Sequence, residues 1–323
     1  MTASLAPALF VFLWSTGFVV ARAIVPYADP CLFLTARFAL AGLVLAGGAA
    51  LARASWPSAR QAAGHLAAGG LLHGLYLAAS YRAVALGLSP GVMALFGALQ
   101  PPLTALCGAW FFRERPDWRL GCGMAAGLAG VGVVVWPGLS SGGGGGLPPV
   151  SLTTVGLALA GVSAITIGAL VQKSSLARAD LRAAGALQHA GGAVVTALLA
   201  MVWDETRFLP SLPLFGALAW GVGGLSVGGA SLLVWLVRQG EASRAVSLLF
   251  LAPPLAAAEA WLLFGVRLGP MQWAGFALAL GGVVLARRLP AEREGPSVED
   301  LGLFQGERPA AVSLEAGREG NRG

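Results

Sequence analysis

Charge is what this 323-residue chain has least of. Lys+Arg number 21 and Asp+Glu 15, so charged residues make up 11% of the chain, against about 25% in an ordinary soluble domain. The length alone would suggest two water-soluble domains; so few charges cannot cover their surface, which excludes them. Cysteine is also scarce. Cys31, Cys107 and Cys122 are odd in number and sit inside apolar stretches, which excludes a disulfide framework or a CxxC metal site and leaves them as small packing residues. A basic run is missing as well. The isoelectric point near 10.0 comes from Lys and Arg scattered in twos and threes, not from the clustered patch that nucleic-acid binding needs, so no nucleic-acid partner is expected.

What is present is apolar. AVILMFWYC account for 56% of the residues, mean hydropathy is +0.74, and the 47 glycines suit close helix packing in lipid. The implied partner is a lipid bilayer, whose core takes about 20 apolar residues per helix. Ten segments fit, near 5–25, 31–51, 63–87, 90–112, 117–136, 151–171, 183–203, 212–237, 244–265 and 271–289. Uninterrupted runs of this length exclude barrel strands, which alternate faces over about 10 residues. The first segment lacks a basic n-region and is too long for an h-region, so it is expected to be a retained helix rather than a signal peptide. The polar, glycine-rich stretch 290–323 is expected to be a disordered cytoplasmic tail.

Lys and Arg concentrate in alternate joints. Arg53 and Arg60, then Arg113, Arg115 and Arg119, then Lys173, Arg178 and Arg182, then Arg238 and Arg244 follow the even-numbered segments; only Arg22, Arg207 and Arg267 follow the odd ones. Arg287 and Arg288 close the last segment on the basic side. The positive-inside rule then places both termini in the cytoplasm, in a multi-pass protein of the cell (inner) membrane.

The chain also repeats itself. At an offset of 152, Leu99, Pro101, Pro102, Leu103 and Ala105 fall on Leu251, Pro253, Pro254, Leu255 and Ala257. Without a gap, Phe112, Arg115, Gly123, Ala125, Leu128, Gly130 and Val131 fall on Phe264, Arg267, Gly275, Ala277, Leu280, Gly282 and Val283. A shift of 151 places Gly17, Arg22 and Asp29 on Gly168, Lys173 and Asp180. The predicted fold is therefore an all-α polytopic membrane protein with two five-helix repeats, 1–138 and 151–289. An odd helix number inverts the second repeat, an architecture common in secondary transporters. Residues 139–150, rich in Gly and Pro, form the linker. No Gly-Lys-Ser/Thr follows that glycine run, so it is not a phosphate-binding loop.

These residues together resemble the drug/metabolite transporter superfamily, in its ten-helix EamA-type branch. The resemblance covers roughly 5–289. It is carried by Trp14-Ser15-Thr16-Gly17-Phe18-Val19, by Ala36-Arg37-Phe38, by Leu99-Gln100-Pro101-Pro102-Leu103-Thr104-Ala105 with Glu114-Arg115-Pro116, and by Leu251-Ala252-Pro253-Pro254-Leu255 with Glu259-Ala260-Trp261-Leu262-Leu263-Phe264-Gly265. One departure is Gly265-Val266-Arg267, where the family usually has Gly-Glu. The resemblance implies a central cavity between the halves, lined by helices 1–4 and 6–9. It also implies a small-molecule substrate, such as an amino-acid-like metabolite or amphipathic drug, commonly moved outward.

Ionisable groups inside a membrane are costly and face a cavity or a partner. Glu259 is the acid placed well within a span. It reads either as a cation or coupling-proton site, or as a fixed ion pair with Arg37 or Arg82 at similar depth. Arg37 reads as a guanidinium satisfying carbonyls at a bend, and Arg82 as a side chain near enough to the surface to snorkel. His73 and Tyr76, three apart on one helix, join Trp14 and Gln100 as expected pocket-lining residues; the alternative for His73 is a hydrogen bond to a neighbouring helix. His189 lies beside Gln188 in the seventh segment. His65 and His73 lack a third ligand, so no metal is expected, and no cofactor. Pro101, Pro102, Pro253 and Pro254 are expected mid-span, as static kinks or as hinges for alternating access. Gly70/Gly74, Gly123/Gly127 and Gly224/Gly228 read as packing pairs. The resulting expectation is a secondary transporter that is not an enzyme and is a monomer or homodimer. An intramembrane enzyme would want paired acids or a Ser/His dyad; a non-transporting receptor or assembly subunit is the other alternative.

Overall fold

The structure, a computed structural model, describes residues 5–111, 118–140, 150–175, 179–238 and 251–286. Several features of the sequence lie outside them: Arg113, Glu114 and Arg115, Arg178, Arg244, the start of the ninth segment, most of the linker and the tail. Among the described residues the backbone is helical, and the only extended pairing is an isolated antiparallel bridge between Ala28 and Phe208.

Helices α1 (Ala6–Ala23) and α2 (Pro30–Leu51) come first. Then α3 (Ala59–Gly69) runs through a π-helical stretch, Gly70–Leu75, into α4 (Tyr76–Ala85). Next are α5 (Pro90–Gly97), α6 (Gln100–Phe111) and α7 (Trp118–Ser140). The second half begins with α8 (Leu152–Ser175) and α9 (Leu181–Val202). There α10 (Leu212–Ala219) runs through a second π-helical stretch, Trp220–Gly228, into α11 (Gly229–Arg238). Helices α12 (Ala252–Phe264) and α13 (Pro270–Leu285) complete it. Among the described residues six stretches are long and apolar enough to cross a membrane: α1, α2, Pro90–Cys107, α7, the Leu152–Gln172 part of α8, and α9. Leu212–Gly228, α12 and α13 are apolar but shorter.

Helix starts follow from local chemistry. Proline opens α1, α2, α5, α10, α12 and α13, where a missing N–H removes no helical bond. Ser89 and Ser211 accept from Val92 and Leu214 N–H as side-chain caps.

The inverted repeat shows in how α7 and α13 touch. A Cβ on Gly123 would overlap the Gly282 carbonyl, and one on Gly275 would overlap the Gly130 carbonyl. At the 152-residue offset Gly123 is the counterpart of Gly275 and Gly130 of Gly282. Each contact is thus the other with its partners exchanged, as a two-fold axis between antiparallel helices requires. Glycine here allows backbone to meet backbone, the usual means of helix association in lipid.

The two π-helical stretches are also counterparts. Gly69-Gly70-Leu71-Leu72-His73-Gly74 and Gly223-Gly224-Leu225-Ser226-Val227-Gly228 share one pattern, 154 residues apart. On the first, Gly69 and Gly74 let α9 approach at Gln188 and Val195.

Candidate functional site

A small cleft of about 70 Å³ opens where elements of both halves converge. Trp14, Ser15 and Phe18 of α1, Tyr76 of α4, Ala98 and Gln100 at the α5–α6 junction, Ile165 of α8 and Pro253 of α12 line it. α5 stops at Gly97 and α6 starts at Gln100, and residues on both sides of this junction line the cleft. Pro101 and Pro102 therefore stand in the first turn of α6 rather than within a continuous helix, and Pro253 and Pro254 stand in the first turn of α12. In that position a proline costs no hydrogen bond and sets the direction of the new segment. Gln100 is held by its own helix: its amide donates to Thr104 Oγ1 at 3.1 Å, and that hydroxyl donates to the Gln100 carbonyl at 2.8 Å.

Of the residues singled out from the sequence, Trp14, Tyr76, Gln100, Pro101 and Pro253 line this cleft. His73 does not, which corrects the expected grouping. The shared face of His73 and Tyr76 assumes α-helical backbone, whereas His73 lies in the π-helical stretch that ends at Leu75. The i→i+5 pattern there changes the angle between residues three apart. His73 instead stacks on His189 of α9, centroids 4.6 Å apart, with Phe38 of α2 beside both rings at 5.9 Å.

Glu259 sits one hydroxyl behind the cleft wall. Ser15 Oγ lies 2.7 Å from Glu259 Oε1 and 2.9 Å from the Phe12 carbonyl. The buried Oε2 has no partner among the described residues. A serine hydroxyl carries one proton. It can donate to a Glu259 carboxylate, or donate to Phe12 and accept from a protonated Glu259. The arrangement accommodates both states of the acid.

Neither arginine offered as a partner for Glu259 fills that role. Arg37 is buried, its Nε donating to the Gly221 carbonyl at 3.1 Å and Ser226 Oγ at 3.3 Å, and its Nη1 to the Tyr81 hydroxyl at 3.2 Å. Tyr81 in turn donates to the Gly17 carbonyl at 2.9 Å. Arg37 thus ties α2 to the second π-helical stretch, and through Tyr81 to α4 and α1.

Arg82 belongs to a polar clasp at one end of the bundle. It pairs with Glu205 at 3.3 Å and lies over the Trp203 ring. Glu205, in the loop after α9, accepts from the N–H groups of Cys31 at 2.7 Å and Leu32 at 3.2 Å, capping α2 from the other half. Burial pushes its carboxyl above the usual range, against the pull of those N–H groups and of Arg82. Beside it, Asp29 Oδ2 accepts from Thr206 and Arg207 N–H, and Oδ1 pairs with the Arg207 guanidinium at 3.2 Å. Burial alone would raise Asp29, but these three donors outweigh it and hold the acid below its ordinary value, so it is ionised at neutral pH. Sequence alone does not reveal this cluster. Glu205 and Asp29 lie in joints, where a lone acid reads as solvated; the repeat that aligns Asp29 with Asp180 is the available signal.

The sequence model of the EamA-like transporter family matches residues 1–136 and again 147–288. The chain belongs to the EamA-like transporter family. The two matches coincide with the two halves of the internal repeat. A protein known from its crystal structure is similar at 20% identity and a TM-score of 0.59, over 88% of this chain and 96% of that one; at that identity the likeness speaks for the fold. No curated protein matches the chain by sequence. Family and apolar helices together make this EamA-like protein a multi-pass membrane transporter of small solutes.

Proposed function

We propose that this EamA-like protein is a secondary transporter exporting small organic solutes, amino-acid-like metabolites or amphipathic drugs, by alternating access. It does so across the inner membrane through ten spans, with both termini cytoplasmic. The observation that carries the reading is the cleft itself: both repeats contribute to its wall, and the acid Glu259 stands one hydroxyl behind it. Trp14, Phe18 and Tyr76 offer flat apolar faces, and Gln100 and Ser15 supply hydrogen bonds. That suits a small amphipathic molecule, since such sites combine apolar walls with a few placed polar groups. Glu259 is the group that couples transport to a proton or binds a cationic solute.

In alternating access the α5–α6 junction works as a hinge. Restoring helix-forming residues there, with Pro101→Ala and Pro102→Ala, favours one continuous helix across Ala98–Leu99, because alanine supplies the N–H groups that can donate to the Gly97 and Ala98 carbonyls four residues back. Turnover in proteoliposomes should fall by roughly tenfold or more, with solute affinity within about threefold of wild type. A loss of affinity with unchanged turnover would contradict the hinge.

A further inference from the structure

The clasp at Asp29 has a counterpart built into the other half. A shift of 151 carries Asp29 onto Asp180, Arg53 onto Asp204 and Ala49 onto Ala200. The backbone repeats with it. Arg53 and Asp204 are the described non-glycine residues with positive φ, at 51° and 50°. Ala54 N–H donates to the Ala49 carbonyl at 2.9 Å, and Glu205 N–H to the Ala200 carbonyl at 2.9 Å. The loop after α2 and the loop after α9 are the same turn at opposite ends of the bundle. They are held apart by helices of 22 residues, about 33 Å long. The Arg182 side chain passes Gly48 near the end of α2, which puts Asp180 at the same end as the loop after α2.

What differs is the use of the acid. Asp29 leaves its own helix without a side-chain cap and reaches across to Thr206 and Arg207. Asp180 stays home: it caps α9, accepting from Arg182 and Ala183 N–H, and lies 3.5 Å from Arg182 Nε. The counterparts of Thr206 and Arg207 are Ser55 and Trp56, whose N–H groups have no acceptor among the described residues. Phe208 has Pro57 as its counterpart. The bonds beside the Ala28–Phe208 bridge run from Asp29 N–H to the Arg207 carbonyl and from Leu209 N–H to the Tyr27 carbonyl, so the same pairing would need no N–H from Pro57.

We propose that Asp29 and Asp180 are the two latches of one exchange. The structure is the conformer closed at the Asp29 end. In the conformer closed at the other end, Asp180 leaves its helix cap and accepts from Ser55 and Trp56 N–H, while Asp29 returns to cap α2. The latches are unequal. Glu205 and Arg207 have Ala54 and Trp56 as counterparts, so the cap across to Cys31 and Leu32 and the ion pair on Asp29 have no equivalent. The conformer closed at Asp29 is therefore the favoured one without solute. The exchange rests on the alternating-access reading, and its test separates the two.

In full-length protein freed of its three cysteines, two cross-links report the two closures: Ala28→Cys with Phe208→Cys, and Pro57→Cys with Ala179→Cys. Under mild oxidation in membranes the first pair should form in most molecules and the second in a minority. Adding Asp29→Asn, which removes the ion pair with Arg207 that the other conformer lacks, should raise the second several-fold; Trp56→Pro, which removes an N–H that only the Asp180 latch uses, should lower it several-fold. A cross-link between positions 57 and 179 that is absent throughout, or indifferent to both substitutions, overturns the latch exchange. An Ala98→Cys reporter in the cleft, alkylated by an impermeant reagent from either side, tests the underlying reading. Reactivity that moves between sides without regard to either substitution leaves alternating access standing and the latches refuted; reactivity confined to one side under every condition refutes both.

Discussion

Glu259→Gln is expected to disconnect transport from the pH gradient. The amide has the size of the acid and can still bond to Ser15, so the α1–α12 contact at Ser15 and Glu259 survives. What it cannot do is gain and lose a proton, so the choice of the Ser15 hydroxyl between Phe12 and residue 259 is no longer tied to one. One pH unit across the membrane is worth about 1.4 kcal/mol, so one-proton coupling should support about tenfold solute accumulation per unit. Wild-type proteoliposomes should show that ratio and the Glu259→Gln variant a ratio near one. Solute exchange at equal pH should continue in both. Unchanged pH dependence in the variant would remove Glu259 from the coupling role.

Gly130→Leu is the second change with a large expected effect, on folding rather than coupling. A Cβ at Gly130 would overlap the backbone N and Cα of Ala279, atoms that cannot turn aside as a flexible side chain can. α13 would have to separate from α7 along the seam where Gly123, Gly130, Gly275 and Gly282 let the two backbones meet. Overpacking a well-filled interior typically costs about 1–3 kcal/mol, and here the obstacle is backbone, at the contact that repeats under the two-fold. The folded, monodisperse fraction after detergent extraction should fall severalfold. Gly132→Leu provides the control: it is exposed on the same helix and a Cβ there meets nothing. Equal yields for the two variants would contradict the packing argument.

Much of this was legible in the residues. Apolar runs give the membrane-spanning stretches because a bilayer demands length and hydropathy, and those are local properties. The Pro-Pro and glycine matches at one offset give the repeat, and the α7–α13 contact shows its inverted symmetry in backbone. Trp14, Tyr76 and Gln100 meet in the cleft because each lies on a segment whose depth follows from simple rise. His73 escaped that logic, since the π-helical stretch changes the periodicity on which face assignments depend; the only local sign was Gly-Gly-Leu-x-x-Gly, and it reads equally as a packing motif. Ser15 was visible as part of the α1 pattern but not as the partner of Glu259, because 244 residues separate them. The Arg82–Glu205 pair was hidden for a related reason: pairings between a span and a distant joint depend on the tertiary arrangement, which no single segment encodes.

The central claim is that this EamA-like protein moves a small organic solute through the cleft between its halves. The most direct measurement compares the small molecules accumulating outside cells that carry wild-type protein, cells that carry the Tyr76→Ala variant at equal membrane abundance, and cells without it. One or a few amphipathic metabolites should rise outside wild-type cells alone, and the same compounds should move in proteoliposomes. Identical external profiles in all three, across varied growth media, would contradict the account.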